Sequence, residues 1–138
     1  MRENRKRPEG WRTIRVGELE LWWTVGKPHV EARLSDGYQH ITLSLVVERA
    51  DGSGKKLKAT IHAKRGIAIP AAGFRDVQSV AIEPATVRRL VELAAPKGAW
   101  PTGTGMWQTT LDLAQQPLPA DTTFRPEHLE GLTVVWQK

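Results

Sequence analysis

Apolar and polar residues alternate along the first half of the chain, and this period of two is typical of β-strands. The clearest unit is a β-hairpin, in which the pattern runs over 40–48 and again over 56–63, with a turn at 51–54 between the two strands. One face of this hairpin is apolar and the other is charged. That division indicates an antiparallel sheet with one face on a hydrophobic core and one face toward solvent.

Further strands are predicted on both sides of the hairpin. Alternating runs precede it at 18–25 and 29–34, with a turn at 26–28 between them. Another alternating run follows the Gly103-Thr104-Gly105 turn. Shorter apolar stretches predict additional strands, and these are 67–70, 77–82 and 132–136.

One segment has a helical pattern instead. Pro84 suits the first position of a helix, where its missing N–H costs nothing. The apolar residues after it recur with the spacing of a single helical face, and they are Val87, Leu90, Val91 and Ala94. Arg88 and Arg89 are predicted to point outward into solvent. Together these elements predict an α+β fold, a mostly antiparallel β-sheet with one main α-helix packed on it.

The positive charge is concentrated at the N-terminus. The chain has 138 residues, the usual size of one domain, and a net charge of +5. Residues 1–15 hold six basic and two acidic residues, so they carry +4 of that charge and the remainder is nearly neutral. We therefore expect a flexible basic arm over 1–10 and a single domain over 11–138. Such arms occur both in nucleic-acid binders and as solubilising tails.

The composition excludes several classes of protein. The absence of cysteine excludes disulfides, a thiolate nucleophile and Cys-ligated metal sites. No apolar run approaches the roughly 20 residues that a membrane helix needs. The basic N-terminus is not followed by the apolar stretch of a signal peptide. We expect a cytoplasmic protein.

Few residues suggest catalysis. His40 and His62 are predicted to lie near each other on the polar face of the hairpin, but a metal needs further ligands and none follows at a recognisable spacing. Glu18 and Glu20 are predicted to share the polar face of one strand, where solvation is the expected state of both carboxylates. No catalytic or phosphate-binding sequence motif occurs. The sequence therefore predicts no catalytic residue, no metal and no cofactor.

The six tryptophans are the most unusual feature of the composition. Trp22 and Trp23 are adjacent in a predicted strand, so their side chains point to opposite faces. Trp23 is predicted to join Leu19 and Leu21 in the core. Trp22 then lies on the polar face, and we expect another element to cover it. The alternative is an exposed Trp22 that stacks on bases or anchors a protein partner.

Two segments carry a resemblance. Trp11–Val16, followed by Trp22–Gly26, is similar to the opening of small uncharacterised bacterial proteins in which a Trp/Arg-rich strand pair precedes further strands. Glu83–Val91 with Ala99-Trp100-Pro101 resembles their later Pro-initiated helix and Trp-Pro turn. The resemblance implies a bacterial origin and carries no assigned activity.

Three classes of function remain open. A small non-catalytic protein-binding module, such as an accessory, immunity or regulatory subunit, is expected first because no catalytic constellation is present. The alternative is a nucleic-acid-binding module that uses the basic arm for phosphates and an exposed Trp for stacking. An enzyme would need a pocket that brings Glu18 and Glu20 together with His40 and His62. The candidate binding residues are Arg5, Lys6, Arg7, Arg12 and Trp22.

Overall fold

The structure is a computed structural model, and the residues that it describes are 6–33, 35, 37–66, 82–95, 98–113, 125–129 and 136–137. Most of them lie in six β-strands and one α-helix. In chain order the elements are β1 (Arg12–Val16), β2 (Leu19–Val25), β3 (His29–Arg33), β4 (Tyr38–Arg49), β5 (Lys56–Gly66), α1 (Pro84–Ala94), β6 (Met106–Asp112) and a short 3-10 helix (Pro126–Leu129). The described residues therefore have a sheet-rich α+β fold, as the alternation pattern predicts.

All six strands belong to one sheet, in the order β1-β2-β4-β5-β6 with β3 also paired to β4. β2 and β3 follow each other along the same side of β4, because β2 pairs with the second half of β4 and β3 with the first half. Every pair of strands is antiparallel except β5 and β6, which are parallel. The sheet is therefore mixed, and α1 lies in the crossover connection that a parallel pair requires.

The hydrophobic core lies between α1 and the apolar face of the sheet. The alternating positions predicted to face inward are buried in all the central strands, and Trp23 joins them with 3% of its surface exposed. The predicted helical face is also buried. The most completely enclosed apolar side chains are Leu21, Leu43, Leu45, Leu57, Ile61, Val87, Leu90 and Val91.

Three of the predicted strands lie largely or wholly outside the described residues. Of the predicted strand 132–136 only Trp136 is described, and its ring centroid lies 5.8 Å from that of Trp107. The next residue, Gln137, exchanges two backbone hydrogen bonds of 2.7 Å with Gln108 of β6. The strand predicted at 67–70 lies outside the described residues, and so does 77–82 apart from the buried Ile82.

Candidate functional site

The predicted binding residues are spread along the N-terminal part of the chain. Arg5 lies outside the described residues, while Lys6 and Arg7 are exposed in the arm. Arg12 is the first residue of β1, and its guanidinium carbon lies 5.6 Å from the centroid of the Trp23 ring. This cation–π contact attaches Arg12 to the rim of the core. Arg12 is therefore part of the folded sheet.

Trp22 is covered, as expected, with only 7% of its surface exposed. It lies in β2 between Thr13 of β1 and Glu48 of β4. Glu48 is also buried, and its Oε2 lies 3.4 Å from Nζ of Lys56. The alternative of an exposed Trp22 is therefore wrong for this structure, because the indole is enclosed on the polar face of the sheet and offers no free ring for base stacking.

The two histidines of the hairpin lie on its polar face, in cross-strand pairs two register positions apart. His62 is opposite Thr42, and His40 is opposite Lys64. The Nδ1 atom of His62 lies 3.2 Å from Oγ1 of Thr42, so the ring makes a local polar contact across the strands. Among the residues that the structure describes, no group of three or more His, Asp or Glu side chains is placed to hold a metal ion.

The two carboxylates of the predicted strand 18–25 lie in different elements. The prediction that Glu18 belongs to the strand is wrong, because Gly17, with φ of 60°, turns the chain just before it and β2 begins at Leu19. Glu20 does lie in β2, and its carboxylate forms an ion pair with the guanidinium of Arg15. Both glutamates line a shallow depression of about 200 Å³.

His40 and His62 line neither this depression nor a larger cleft between β1 and the start of α1. An enzyme built on Glu18, Glu20, His40 and His62 would need one pocket that contains all four residues. Neither cleft brings them together. The Glu20 carboxylate forms its ion pair with Arg15 across the strand pair, and these two side chains are 66% and 67% exposed.

The strand β1 forms one edge of the sheet, since β2 is its only strand neighbour within the described part of the chain. A backbone hydrogen bond shows which way the edge faces. The N–H of Ala50 donates to the carbonyl oxygen of Glu20 at 2.9 Å, so the backbone of Glu20 points away from β1. Hydrogen-bonded and non-hydrogen-bonded pairs alternate in an antiparallel ladder. Arg15, opposite Glu20, therefore directs its N–H and C=O to the outside.

The β1–β2 turn leads to the same conclusion. Val16 and Leu19 flank the two-residue turn and close it as a hydrogen-bonded pair. Counting back from Val16, Ile14 faces β2 while Thr13 and Arg15 face outward. The outer edge of β1 thus presents the N–H and C=O groups of Thr13 and Arg15, and no hydrogen bond to these groups occurs within the described residues.

A cleft of about 560 Å³ is lined by β1 together with the beginning of α1. The burial of Val87 and Leu90 in the core holds α1 in place over the sheet, and the first turns of this helix bring Pro84 and Arg88 to the cleft. The lining combines apolar with charged groups. Its residues are Thr13, Ile14, Arg15, Glu20, Leu21, Trp22, Ala50, Pro84 and Arg88.

The charges of this cleft differ in their pairing. Arg15 is bound to Glu20, whereas Arg88 is exposed and has no ion-pair partner among the described residues. On the next helical position, Arg89 is paired with Glu92 at 3.4 Å and does not line the cleft. Arg88 is therefore the cleft's uncompensated cation. Sequence reasoning named Arg88 but assigned it to solvent, because its proximity to β1 depends on packing between elements some 70 residues apart.

Among the helices of the described residues, none has the length and apolar character required to span a bilayer. No protein-family model matches the chain, and no curated protein or solved structure that was compared with it does so either. The resemblance to small bacterial proteins therefore stays a prediction from the sequence.

Proposed function

We propose that the chain is a non-catalytic binding module that takes up an extended segment of a protein partner along the outer edge of β1. One observation carries this proposal: the outward backbone groups of Thr13 and Arg15 lie beside a cleft of about 560 Å³ that the same strand lines. An extended peptide can add to such an edge as a further strand. Its backbone then supplies hydrogen bonds, and its alternate side chains enter neighbouring pockets.

The opposite edge of the sheet is a less suitable site. There, Gln137 already forms two backbone hydrogen bonds of 2.7 Å to Gln108 of β6. A peptide at this edge would have to displace the chain's own C-terminal residues. β3 also has β4 as its only strand neighbour within the described residues, but it lines neither of the two clefts. The comparison therefore favours β1 as the binding edge.

Other features support a binding role of this kind. The sheet carries cross-strand polar contacts and an ion pair between the buried Glu48 and the half-exposed Lys56, and its two histidines line neither of the two clefts. A bacterial accessory, immunity or regulatory subunit of the cytoplasm would use a module of this type. Nucleic-acid binding is supported by the arm alone, since Trp22 is only 7% exposed.

The proposal is tested with a proline variant that acts on the outer edge only. Thr13→Pro removes an N–H that points away from β2, so the β1–β2 ladder stays intact. Thr13→Val keeps the N–H and is the matched control. A phage-displayed library of random 12-residue peptides is selected on the wild-type protein, and the enriched peptides are then measured against both variants.

We expect the enriched peptides to bind Thr13→Val like the wild type and Thr13→Pro at least about tenfold more weakly, because one backbone hydrogen bond is lost and the proline ring obstructs the incoming strand. Circular dichroism and the melting temperature establish that Thr13→Pro is folded. Peptides that bind both variants equally would place the binding surface elsewhere, and a selection without enrichment would oppose the proposal as a whole.

A further inference from the structure

We infer that the segment bound by β1 is acidic. This inference rests on the proposed strand addition and concerns the chemistry of the partner. It follows from the charges around the edge and from the two faces of β1.

Basic side chains are in excess around the edge. They lie on the arm, on β1 and on α1, and Arg88 lacks an ion-pair partner within the described part of the chain. The five basic residues are Lys6, Arg7, Arg12, Arg15 and Arg88, against the three acidic residues Glu9, Glu18 and Glu20. The Arg15–Glu20 pair cancels one charge of each sign, and the remaining four basic residues outnumber the two acidic ones, so the edge attracts a segment of negative charge.

The two faces of β1 differ in polarity. Ile14 is turned toward α1 and is 8% exposed, and it lines the cleft near Pro84. Thr13 and Arg15 are turned to the opposite, polar face. An added strand has the same alternation, so its residues on the Ile14 face meet Arg12 and Arg88 beside the apolar Ile14. Those on the opposite face meet Arg15, which is already paired with Glu20. Carboxylates on the Ile14 face can therefore pair with Arg88.

A second copy of the chain is a poor occupant of this edge. Pairing of two β1 strands would bring the arginines of both chains to the same edge, Arg12 on the Ile14 face and Arg15 on the opposite face. Like charges across paired strands are destabilising, and charged edge residues are a common protection against self-pairing. The same arginines that oppose self-association favour an acidic partner.

Four fluorescein-labelled heptapeptides test the inference by anisotropy. The first is the acidic peptide Glu-Val-Glu-Val-Glu-Val-Glu, and the second and third replace every Glu by Gln or by Lys. The fourth is the acidic peptide with alternate backbone nitrogens methylated, which retains the charge and prevents strand pairing. All four are measured with wild-type protein and with the Arg88→Gln, Arg89→Gln and Thr13→Pro variants.

We expect the acidic peptide to bind at least about tenfold more tightly than the lysine peptide, with the glutamine peptide between them and with weaker binding at high salt. Arg88→Gln is expected to weaken the acidic peptide about two- to fivefold, as for a partly exposed ion pair. Arg89→Gln is the control and leaves binding unchanged, because Arg89 is paired with Glu92 outside the cleft. Methylation and Thr13→Pro are both expected to abolish binding.

Each other outcome has a distinct meaning. If the glutamine or lysine peptide binds as tightly as the acidic peptide and Thr13→Pro still abolishes binding, the inference is overturned and the proposed strand addition stands. If the acidic peptide binds regardless of methylation and Thr13→Pro, or if no peptide binds, both fall. Self-association that Thr13→Pro abolishes would assign the edge to a second copy and overturn the inference.

Discussion

The indole Nε1 of Trp100 donates a hydrogen bond to the carbonyl oxygen of Lys55 at 2.9 Å. Next to it, the N–H of Lys55 donates to the carbonyl oxygen of Pro101, also at 2.9 Å. The two bonds join the loop before β6 to the turn of the β4–β5 hairpin. They hold β6 at the position where its parallel pairing with β5 begins, so the Trp-Pro turn has a structural role.

The first prediction concerns Gly54, which has φ of 76°. A Cβ atom there would lie 2.6 Å from Cδ1 of Trp100 and 2.7 Å from the carbonyl oxygen of Pro101. Gly37 has the same φ, but a Cβ would meet nothing within 4 Å. We expect Gly37→Ala to cost about 1–2 kcal/mol from backbone strain alone.

Gly54→Ala is expected to lower the free energy of unfolding by a further ~2 kcal/mol, because the added methyl group also pushes the Trp100 loop away. Urea denaturation of the two variants measures the difference. Equal losses for Gly37→Ala and Gly54→Ala would mean that Trp100 and Pro101 do not pack on this turn.

The second prediction separates two tryptophans by their hydrogen bonds. Trp100→Phe removes the donor to Lys55 and is expected to cost about 1–2 kcal/mol beyond the change in packing. Trp136→Phe is the comparison, since the buried Nε1 of Trp136 has no hydrogen-bond partner among the described residues. We expect its loss to be the smaller by urea denaturation, and the reverse order would contradict the Trp100–Lys55 bond.

Local pattern was enough to predict much of this fold. Alternation placed the β4–β5 hairpin and its two faces, and it placed Trp23 inside. Pro84 and the helical spacing after it gave the start of α1 correctly. These features depend on residues close together in the sequence, and a hydrophobic pattern that repeats every 2 or every 3.6 residues predicts them directly.

The direction of β6 and the location of the cleft were not predictable in this way. Alternation predicts which face of the sheet a residue occupies. It does not predict which strand lies beside that residue, or whether the two strands run parallel or antiparallel. The parallel β5–β6 pair depends on the crossover through α1. The open edge at Thr13 depends on the short turn at Gly17, and a glycine at that position is a local sequence signal for such a turn.

The third prediction concerns the buried carboxylate of Glu48. Lys56→Gln removes the cation 3.4 Å from it and is expected to lower the free energy of unfolding by about 1 kcal/mol, because the Lys56 side chain is half exposed and solvent weakens the pair. Lys58→Gln changes a neighbouring lysine of β5 that has no ion pair within the described residues. It should leave stability nearly unchanged, and equal effects of the two variants would show that the Glu48 ion pair contributes nothing.

The fourth prediction concerns nucleic acids. Changing Arg5, Lys6 and Arg7 together to Gln is expected to remove any binding of mixed-sequence single-stranded DNA, and that binding should fall steeply with salt. Trp22→Phe is expected to leave DNA affinity unchanged, because Trp22 is only 7% exposed. Fluorescence anisotropy over a salt series measures both variants. A clear loss of affinity in Trp22→Phe would restore the base-stacking hypothesis.

The open edge of β1 is the central claim, and amide hydrogen exchange followed by NMR tests it most directly. In the free protein we predict fast exchange for the amides of Thr13 and Arg15 and slow exchange for that of Ile14, which is bonded to β2. Saturating acidic peptide should slow Thr13 and Arg15 to the rate of Ile14. Slow exchange of Thr13 and Arg15 in the free protein would show that the edge is already occupied and would contradict the account.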